Sequence, residues 1–324
     1  MLDVESLSQA VHLQDVAAVA DELIADIASA ARRFRRTGAI VALSGGIDSS
    51  VCVALAARAL GAKRVKGITL PDQESSGETA GLARLAAESC GVTFLAKDIT
   101  PVLDALGAYG DRLAIVQRID PEFDPARGDA FSVEFVPATG EGDRIQSFVL
   151  NVVRDGRSVH HRLGGRDFLT IMAATNQKQR VRTLMTYRLA DEENLIVIGT
   201  SNRLEIDQGF FVKFGDGCGE AFPLRWLLKS QVYDLAEYLG VPEEIRRRPP
   251  TTDTFSAPQS QEEYFYGTST EVGDALWLAW RKRESADQVG ERLGFAATDV
   301  AKFFGLYERR AQYAAYLTEM ITPE

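Results

Sequence analysis

The chain has 324 residues, enough to bury a full core, and carries a formal net charge of −10 from 46 acidic and 36 basic side chains. That balance argues against a protein that holds RNA or DNA through bulk electrostatics, which needs a basic stripe to neutralise phosphates. The three cysteines, Cys52, Cys90 and Cys218, are far apart with no Cys-x-x-Cys pair, so no zinc ribbon, iron–sulfur site or disulfide framework is expected.

The first residues show no basic segment followed by an apolar one, and no run reaches membrane-spanning length, so a cytoplasmic protein without a membrane anchor is expected. Over 13–36, Val16, Val19, Leu23, Ile27, Ala31 and Phe34 recur at helical spacing. Four arginines, Arg32, Arg33, Arg35 and Arg36, close that helix, where cations suit the C-terminal dipole. A strand is expected over 38–43 and a helix through Leu60, with Ser44-Gly45-Gly46-Ile47-Asp48-Ser49-Ser50 between them.

Strand, glycine-serine loop, helix is the context of a phosphate cradle. Two glycines let the backbone approach an anion, and the hydroxyls and N–H groups at the helix start donate to phosphate oxygens that the helix dipole also favours. Asp48 would repel phosphate unless a cation lies between them, so it reads as a ligand for Mg²⁺ carried on the nucleotide. The alternative is a glycine-rich turn with no ligand.

A second strand over 65–70 ends in the polar loop Pro71-Asp72-Gln73-Glu74-Ser75-Ser76-Gly77, followed by a helix over 78–90 and a strand from Thr93. The run Leu195-Ile196-Val197-Ile198-Gly199 supplies another buried strand. Strands alternating with helices predict a doubly wound, mostly parallel α/β sheet of Rossmann-like type. Residues 119–167 break the rhythm with short strand patterns around 131–135, 147–153 and 158–161 and an Asp155-Gly156 turn, predicting an antiparallel β insertion. His160 and His161 fall there, without a ligand-spaced partner, and read as surface residues. From 271 onward, periodic apolar residues predict three helices punctuated by Gly294 and Gly305. The expected organisation is a main domain of 1–118 and 168–270, the insertion 119–167, and C-terminal helices 271–324.

The loop at 44–50 resembles the Ser-Gly-Gly-x-Asp-Ser loop of the ATP-pyrophosphatase (PP-loop) superfamily, whose members split ATP into AMP and pyrophosphate. Gly199-Thr200, Glu205 and Gly209-Phe210-Phe211-Val212-Lys213-Phe214-Gly215-Asp216-Gly217 resemble, in order and spacing, a signature of the NAD synthetase family. Asn176 to Arg182 is similar to that family's Asn-x-x-Ala-Arg-x-Arg helix start, and Pro223-Leu224, Lys229-Ser230-Gln231-Val232, Leu239-Gly240-Val241-Pro242 and Pro250-Thr251-Thr252-Asp253 follow its later blocks. The resemblance covers roughly residues 20–110 and 170–320; several spaced motifs in one order are far more specific than one.

The resemblance implies that Ser44, Gly45, Gly46, Asp48, Ser49 and Ser50 hold ATP phosphates, with Thr200, Lys229 and Thr251 as further ATP contacts. It implies Asp48 and Glu205 as Mg²⁺ ligands, and Arg180, Lys213 and Glu220 as contacts to a deamidated dinucleotide. Asp48, Lys213 and Lys229 are the expected catalytic residues. Three positions depart from the family: Val212 replaces its Thr, Glu220 its Asp, and Glu308-Arg309-Arg310 its His-Lys-Arg.

The implied reaction is ATP-dependent, AMP-forming amidation of a carboxylate through an acyl-adenylate, with deamido-NAD as the acid and ammonia as the nitrogen source. Drift at the dinucleotide end keeps a second reading open, amidation of another carboxylic acid in a specialised route. With 43 residues before the cradle there is no room for a fused glutaminase, so ammonia is expected free or from a separate subunit. The resemblance also implies a homodimer with a shared dinucleotide site.

Overall fold

The computed structural model describes residues 9–136, 147–249, 254–257 and 268–319. In chain order the first unit is α1 (Val16–Arg33), β1 (Gly38–Ala42), α2 (Ile47–Leu60), β2 (Val65–Thr69), α3 (Gly77–Ser89), β3 (Thr93–Ala96), α4 (Thr100–Ala105) and α5 (Ala108–Ile119). Three strands follow, β4 (Ala130–Val136), β5 (Ser147–Arg154) and β6 (Arg157–Leu163), then the long α6 (Gly165–Glu193), β7 (Leu195–Ile198) and α7 (Arg203–Gln208). The chain closes with α8 (Lys229–Leu239), α9 (Glu243–Arg247), α10 (Thr270–Arg281), α11 (Ala286–Leu293) and α12 (Ala297–Thr318). No helix among the described residues is long and apolar enough to cross a membrane.

The main sheet has the order β3-β2-β1-β7, all parallel. Both faces are covered, which is why β1 and β7 read as continuous apolar runs. Ala39, Val41, Ile196 and Ile198 pack into one core with Ile27 of α1, Val51 and Leu55 of α2 and Leu235 of α8. The alternate residues Ile40, Leu195 and Val197 pack into the opposite core with Leu103, Val181 and Ala190. Period-2 alternation thus sorts the strands between two helix layers, a doubly wound α/β fold.

The predicted β insertion is an antiparallel sheet, β4-β5-β6, with the β5–β6 turn at Asp155 (φ 50°) and Gly156 (φ 73°). Positive φ at both central residues matches the hairpin geometry expected of Asp-Gly. Phe131, Val133, Leu150 and Val152 lie on one face of this sheet and pack with Val116 of α5 and Ile171 of α6. Three helices follow residue 270, packed around the buried Trp277.

Four local expectations are corrected. Asn176 does not start a helix: α6 begins at Gly165, because Phe168, Ile171 and Met172 pack against the antiparallel sheet and extend the helix by three turns. Gly305 lies inside α12, where packing of Phe303, Phe304 and Tyr307 outweighs glycine's helix cost of about 1 kcal/mol. Phe34, the last of the apolar residues at helical spacing and so expected to pack with them, is the exposed C-cap of α1. His160 is exposed, but His161 is half-buried with Nε2 3.3 Å from the Asp120 carboxylate.

Candidate active site

The sheet runs from β1 outward through β2 to β3 and returns with β7 on the other side of β1. The crevice beyond the carboxyl ends of β1 and β7 is therefore the topological switch point, where open α/β sheets bind ligands. A cleft of about 800 Å³ opens there, lined by the ends of β1, β2 and β7, by a long stripe of α6 and by parts of α8, α12 and the antiparallel sheet.

Ser44, Gly46, Ile47, Asp48 and Ser49 line this cleft directly after β1. No side chain caps the start of α2, and the Ser49 hydroxyl reaches back to the Ser44 N–H and hydroxyl, both at 3.3 Å. An uncapped helix N-terminus in a hydroxyl-bearing loop suits an anion. Gly45 adopts φ 71°, and a Cβ there would stand 2.7 Å from the Thr79 carbonyl oxygen, so both conformation and space demand glycine. At Gly46 a Cβ would meet only the Ser44 hydroxyl, at 3.2 Å. Ser50 points away from the cleft lining, donating to the Gly46 carbonyl at 2.8 Å.

The second half of the site follows β7. Asn202 is the N-cap of α7 and forms a capping box with Glu205, each side chain receiving the other's backbone N–H at 3.2 Å. The Asn202 amide also donates to Asp48 Oδ1 at 3.1 Å, and the other Asp48 oxygen forms an ion pair with Lys229 at the start of α8. Asp48, Glu205 and Lys229, from three segments, thus converge with Thr200 on the cleft floor. Burial, reinforced by the Asp48 charge, pushes the Glu205 carboxyl up to about 8. Burial disfavours the Lys229 charge, but Asp48 and Glu205 outweigh it and hold the ammonium above the ordinary lysine range. Cys52 beneath them has its thiol pushed well up by burial, Asp48 and Glu205, so it is not a poised nucleophile.

The other expected residues are placed differently. Arg180 is exposed and donates from Nε to the Lys213 carbonyl at 3.3 Å. The Lys213 ammonium binds the carbonyl oxygens of Tyr316, at 2.8 Å, and Glu319, while its neighbours Phe210, Phe211 and Val212 line the cleft. Glu220 closes the edge of β7, its carboxylate accepting the Val197 N–H at 2.7 Å, and it does not line the cleft. Thr251 lies outside the described residues. No group of three or more His, Cys, Asp or Glu arranged for a metal occurs among the described residues; Asp48 and Glu205 are a pair.

Three features were not read from the sequence. Asn202 joins the two carboxylates, and its only local signal is the capping box with Glu205. Arg248, the C-cap of α9, lines the cleft and donates to the Thr79 hydroxyl at 3.2 Å. A buried ionic network ties the loop after β2 to α6: Lys178 binds Glu74 at 2.6 Å and Asp72 at 3.3 Å, Arg182 binds Asp72 at 3.0 Å, and Arg112 binds Glu74 at 2.8 Å. It fixes one cleft wall, since removing one partner from a buried ion pair costs about 3–5 kcal/mol.

Fold and site together define an α/β nucleotide-binding protein with a PP-loop at its switch point. The NAD synthase family model matches residues 19–118 and 151–313, and the chain belongs to this family. The chain is 42% identical over 304 residues to an NH(3)-dependent NAD(+) synthetase of Rhizobium meliloti, covering 94% of this chain and 90% of the relative. It is 45% identical over 256 residues to one from Rhizobium rhizogenes, with 78% and 76% covered. Among solved structures it resembles an NMN synthetase from Francisella tularensis (TM-score 0.64, 21% identity, 95% and 98% covered). An NH3-dependent NAD synthetase from Campylobacter jejuni has a TM-score of 0.63 at 18% identity, with 96% and 100% covered. These two likenesses bear on the fold.

Proposed function

We propose that this protein is an ammonia-dependent ligase that amidates deamido-NAD to NAD, converting ATP to AMP and pyrophosphate. The observation that carries the reading is the convergence of Asp48, Asn202, Glu205 and Lys229 beside an uncapped helix start at the switch point. In this reading a triphosphate binds at Ser44 to Ser49 with Lys229 beside it.

The substrate carboxylate attacks the α-phosphorus of ATP, the bond to pyrophosphate breaks, and an acyl-adenylate forms. Negative charge grows on the leaving pyrophosphate, where the Lys229 ammonium and the N–H groups of the cradle stabilise it. Ammonia then attacks the acyl carbon, AMP leaves, and a proton is lost from nitrogen to give the amide. No enzyme nucleophile is needed, in keeping with the protonated state favoured for Cys52.

The donor set fits magnesium. Two carboxylates plus substrate phosphates is a set that Mg²⁺ accepts, and a divalent cation there would offset both the burial and the Asp48 charge that raise Glu205. When bound, the ion neutralises charge on the phosphates. Asp48 and Glu205 would hold it, with Lys229 released from Asp48 toward the phosphate. In the same reading Arg180 and Lys213 serve the dinucleotide, Lys213 after leaving the Tyr316 carbonyl, and the protein works as a cytoplasmic homodimer. Glu220 supports β7 in this arrangement.

Purified protein with MgATP, deamido-NAD and ammonium chloride should yield NAD, AMP and pyrophosphate in equal amounts, with glutamine inactive as a replacement for ammonium. AMP release only with some other carboxylic acid would overturn the assignment of deamido-NAD, and glutamine working as well as ammonium would overturn ammonia dependence.

A further inference from the structure

The family model passes over residues 119–150, yet Val133, Glu134 and Phe148 of that segment line the same cleft as the phosphate cradle. They meet the first turns of α6, where Phe168, Leu169 and Met172 also line the cleft. Phe148 and Phe168 are stacked face to face, with centroids 3.6 Å apart and planes 11° from parallel. Neither ring is fully buried, and Leu169 beside them is 67% exposed. Both rings pack on the core beneath the antiparallel sheet and line a cleft whose other lining residues include the ionic set Asp48, Glu205 and Lys229.

The same stripe of α6 carries Thr175, one turn beyond Met172. Its side chain is buried, lines the cleft and has a hydroxyl with no hydrogen-bond partner. A helical threonine ordinarily bonds the carbonyl four residues back, and a buried orphan hydroxyl costs about 1–3 kcal/mol. Farther along, Arg182 stands level with the end of β2, whose Leu70 carbonyl it binds, roughly 21 Å from Phe168 along the helix axis. The aromatic wall is therefore remote from the phosphate cradle, within one continuous cleft.

We propose that the antiparallel sheet supplies a base-binding wall, in which the Phe148–Phe168 pair takes the face of a planar heteroaromatic ring of a substrate and the Thr175 hydroxyl bonds its edge. The inference rests on the proposed reaction, whose two large substrates both carry such rings. Stacking tolerates any base because every base has a π-face, and the polar edge contact gives the ring its orientation. The cradle residues lie within the stretches that the family model matches, whereas Phe148 lies in the segment that it passes over.

Calorimetric titration of MgATP, and separately of deamido-NAD, into wild type, F148A, F148L and T175V tests this without turnover. F148A should weaken one of the two ligands roughly five- to twentyfold, and F148L should not restore it, because leucine fills space without a ring face. T175V should weaken the same ligand roughly threefold or more while leaving the melting temperature unchanged or raised, since it removes an orphan rather than a contact. S158A, at the far end of the sheet, should bind as wild type. Loss confined to ATP identifies the ring as its adenine, and loss confined to deamido-NAD places it on the acid substrate. F148A with both dissociation constants within twofold of wild type overturns the wall, as does F148L at wild-type affinity. A wild type that binds ATP but releases no AMP with deamido-NAD refutes the proposed reaction instead, and leaves the ATP titrations to decide the wall.

Discussion

Asn202 donates its side-chain amide to Asp48 at 3.1 Å while its own backbone N–H is capped by Glu205. One residue, almost wholly buried, therefore sets the orientation of the first carboxylate and the position of the second. N202A should lose the helix cap, about 1 kcal/mol of stability, and lower the rate of AMP formation roughly 10–100-fold, the range for residues that orient metal-binding groups. N202D keeps a capping oxygen but sets a third carboxylate against Asp48 in a buried position, so it should be destabilised at least as much as N202A and lose activity at least as severely. Urea denaturation beside an AMP-release assay separates the two effects; an N202D variant with wild-type turnover would refute the positioning role.

The two carboxylates should differ in what their loss does to the fold. Burial and the Asp48 charge push the Glu205 carboxyl toward its neutral form, so E205Q is a close mimic and should change stability by less than about 0.5 kcal/mol. D48N strands the buried Lys229 ammonium and should cost on the order of 3 kcal/mol. On the proposed magnesium role, both should abolish AMP formation, each removing a hard oxygen ligand. Equal destabilisation of the two variants would show that Asp48 and Lys229 do not depend on one another.

Adjacent glycines in the cradle should fail for different reasons. G45A puts a side chain at positive φ and against the Thr79 carbonyl, so it should destabilise the protein by about 1–3 kcal/mol. G46A disturbs only the Ser44 hydroxyl and should remain folded while binding ATP several-fold more weakly, because its methyl obstructs close approach of phosphate. A G46A protein with unchanged ATP affinity would remove the triphosphate from this loop.

The parallel sheet was legible because its strands are short apolar runs and the cradle announces itself by glycine between strand and helix. Asn202 was not, since its partner Asp48 is 154 residues away and pairing across a switch point leaves no local pattern. The start of α6 was misread for a related reason. Asn176 reads as a helix start only through its resemblance to a family block, and the antiparallel sheet against Phe168 and Ile171 explains why the helix continues upstream. Lys213 shows the converse limit: its motif is local and plain, but the carbonyl that holds it belongs to Tyr316 at the other end of the unit.

Asp274 gives a prediction in pH. Its side chain is completely buried on α10, one oxygen accepting both the N–H and the hydroxyl of Ser230 at 2.8 and 2.7 Å, the other without a partner. Burial pushes its carboxyl up to about 6, against an ordinary value of 3.8, despite the Ser230 bonds. The folded protein therefore binds this proton more tightly than the unfolded chain does. The stabilisation is complete below the unfolded value and is lost as pH rises through about 6. In D274N the amide carries no charge, so its stability should lack this component, whatever constant offset the amide nitrogen introduces at the unpartnered position. The unfolding free energy of D274N minus that of wild type should therefore increase between pH 4.5 and pH 7.5, by on the order of 2 kcal/mol. Urea titrations of both proteins across that interval measure the difference directly; a flat or decreasing difference would mean that Asp274 is ionised in the folded protein throughout, its charge held by Ser230 and the start of α8.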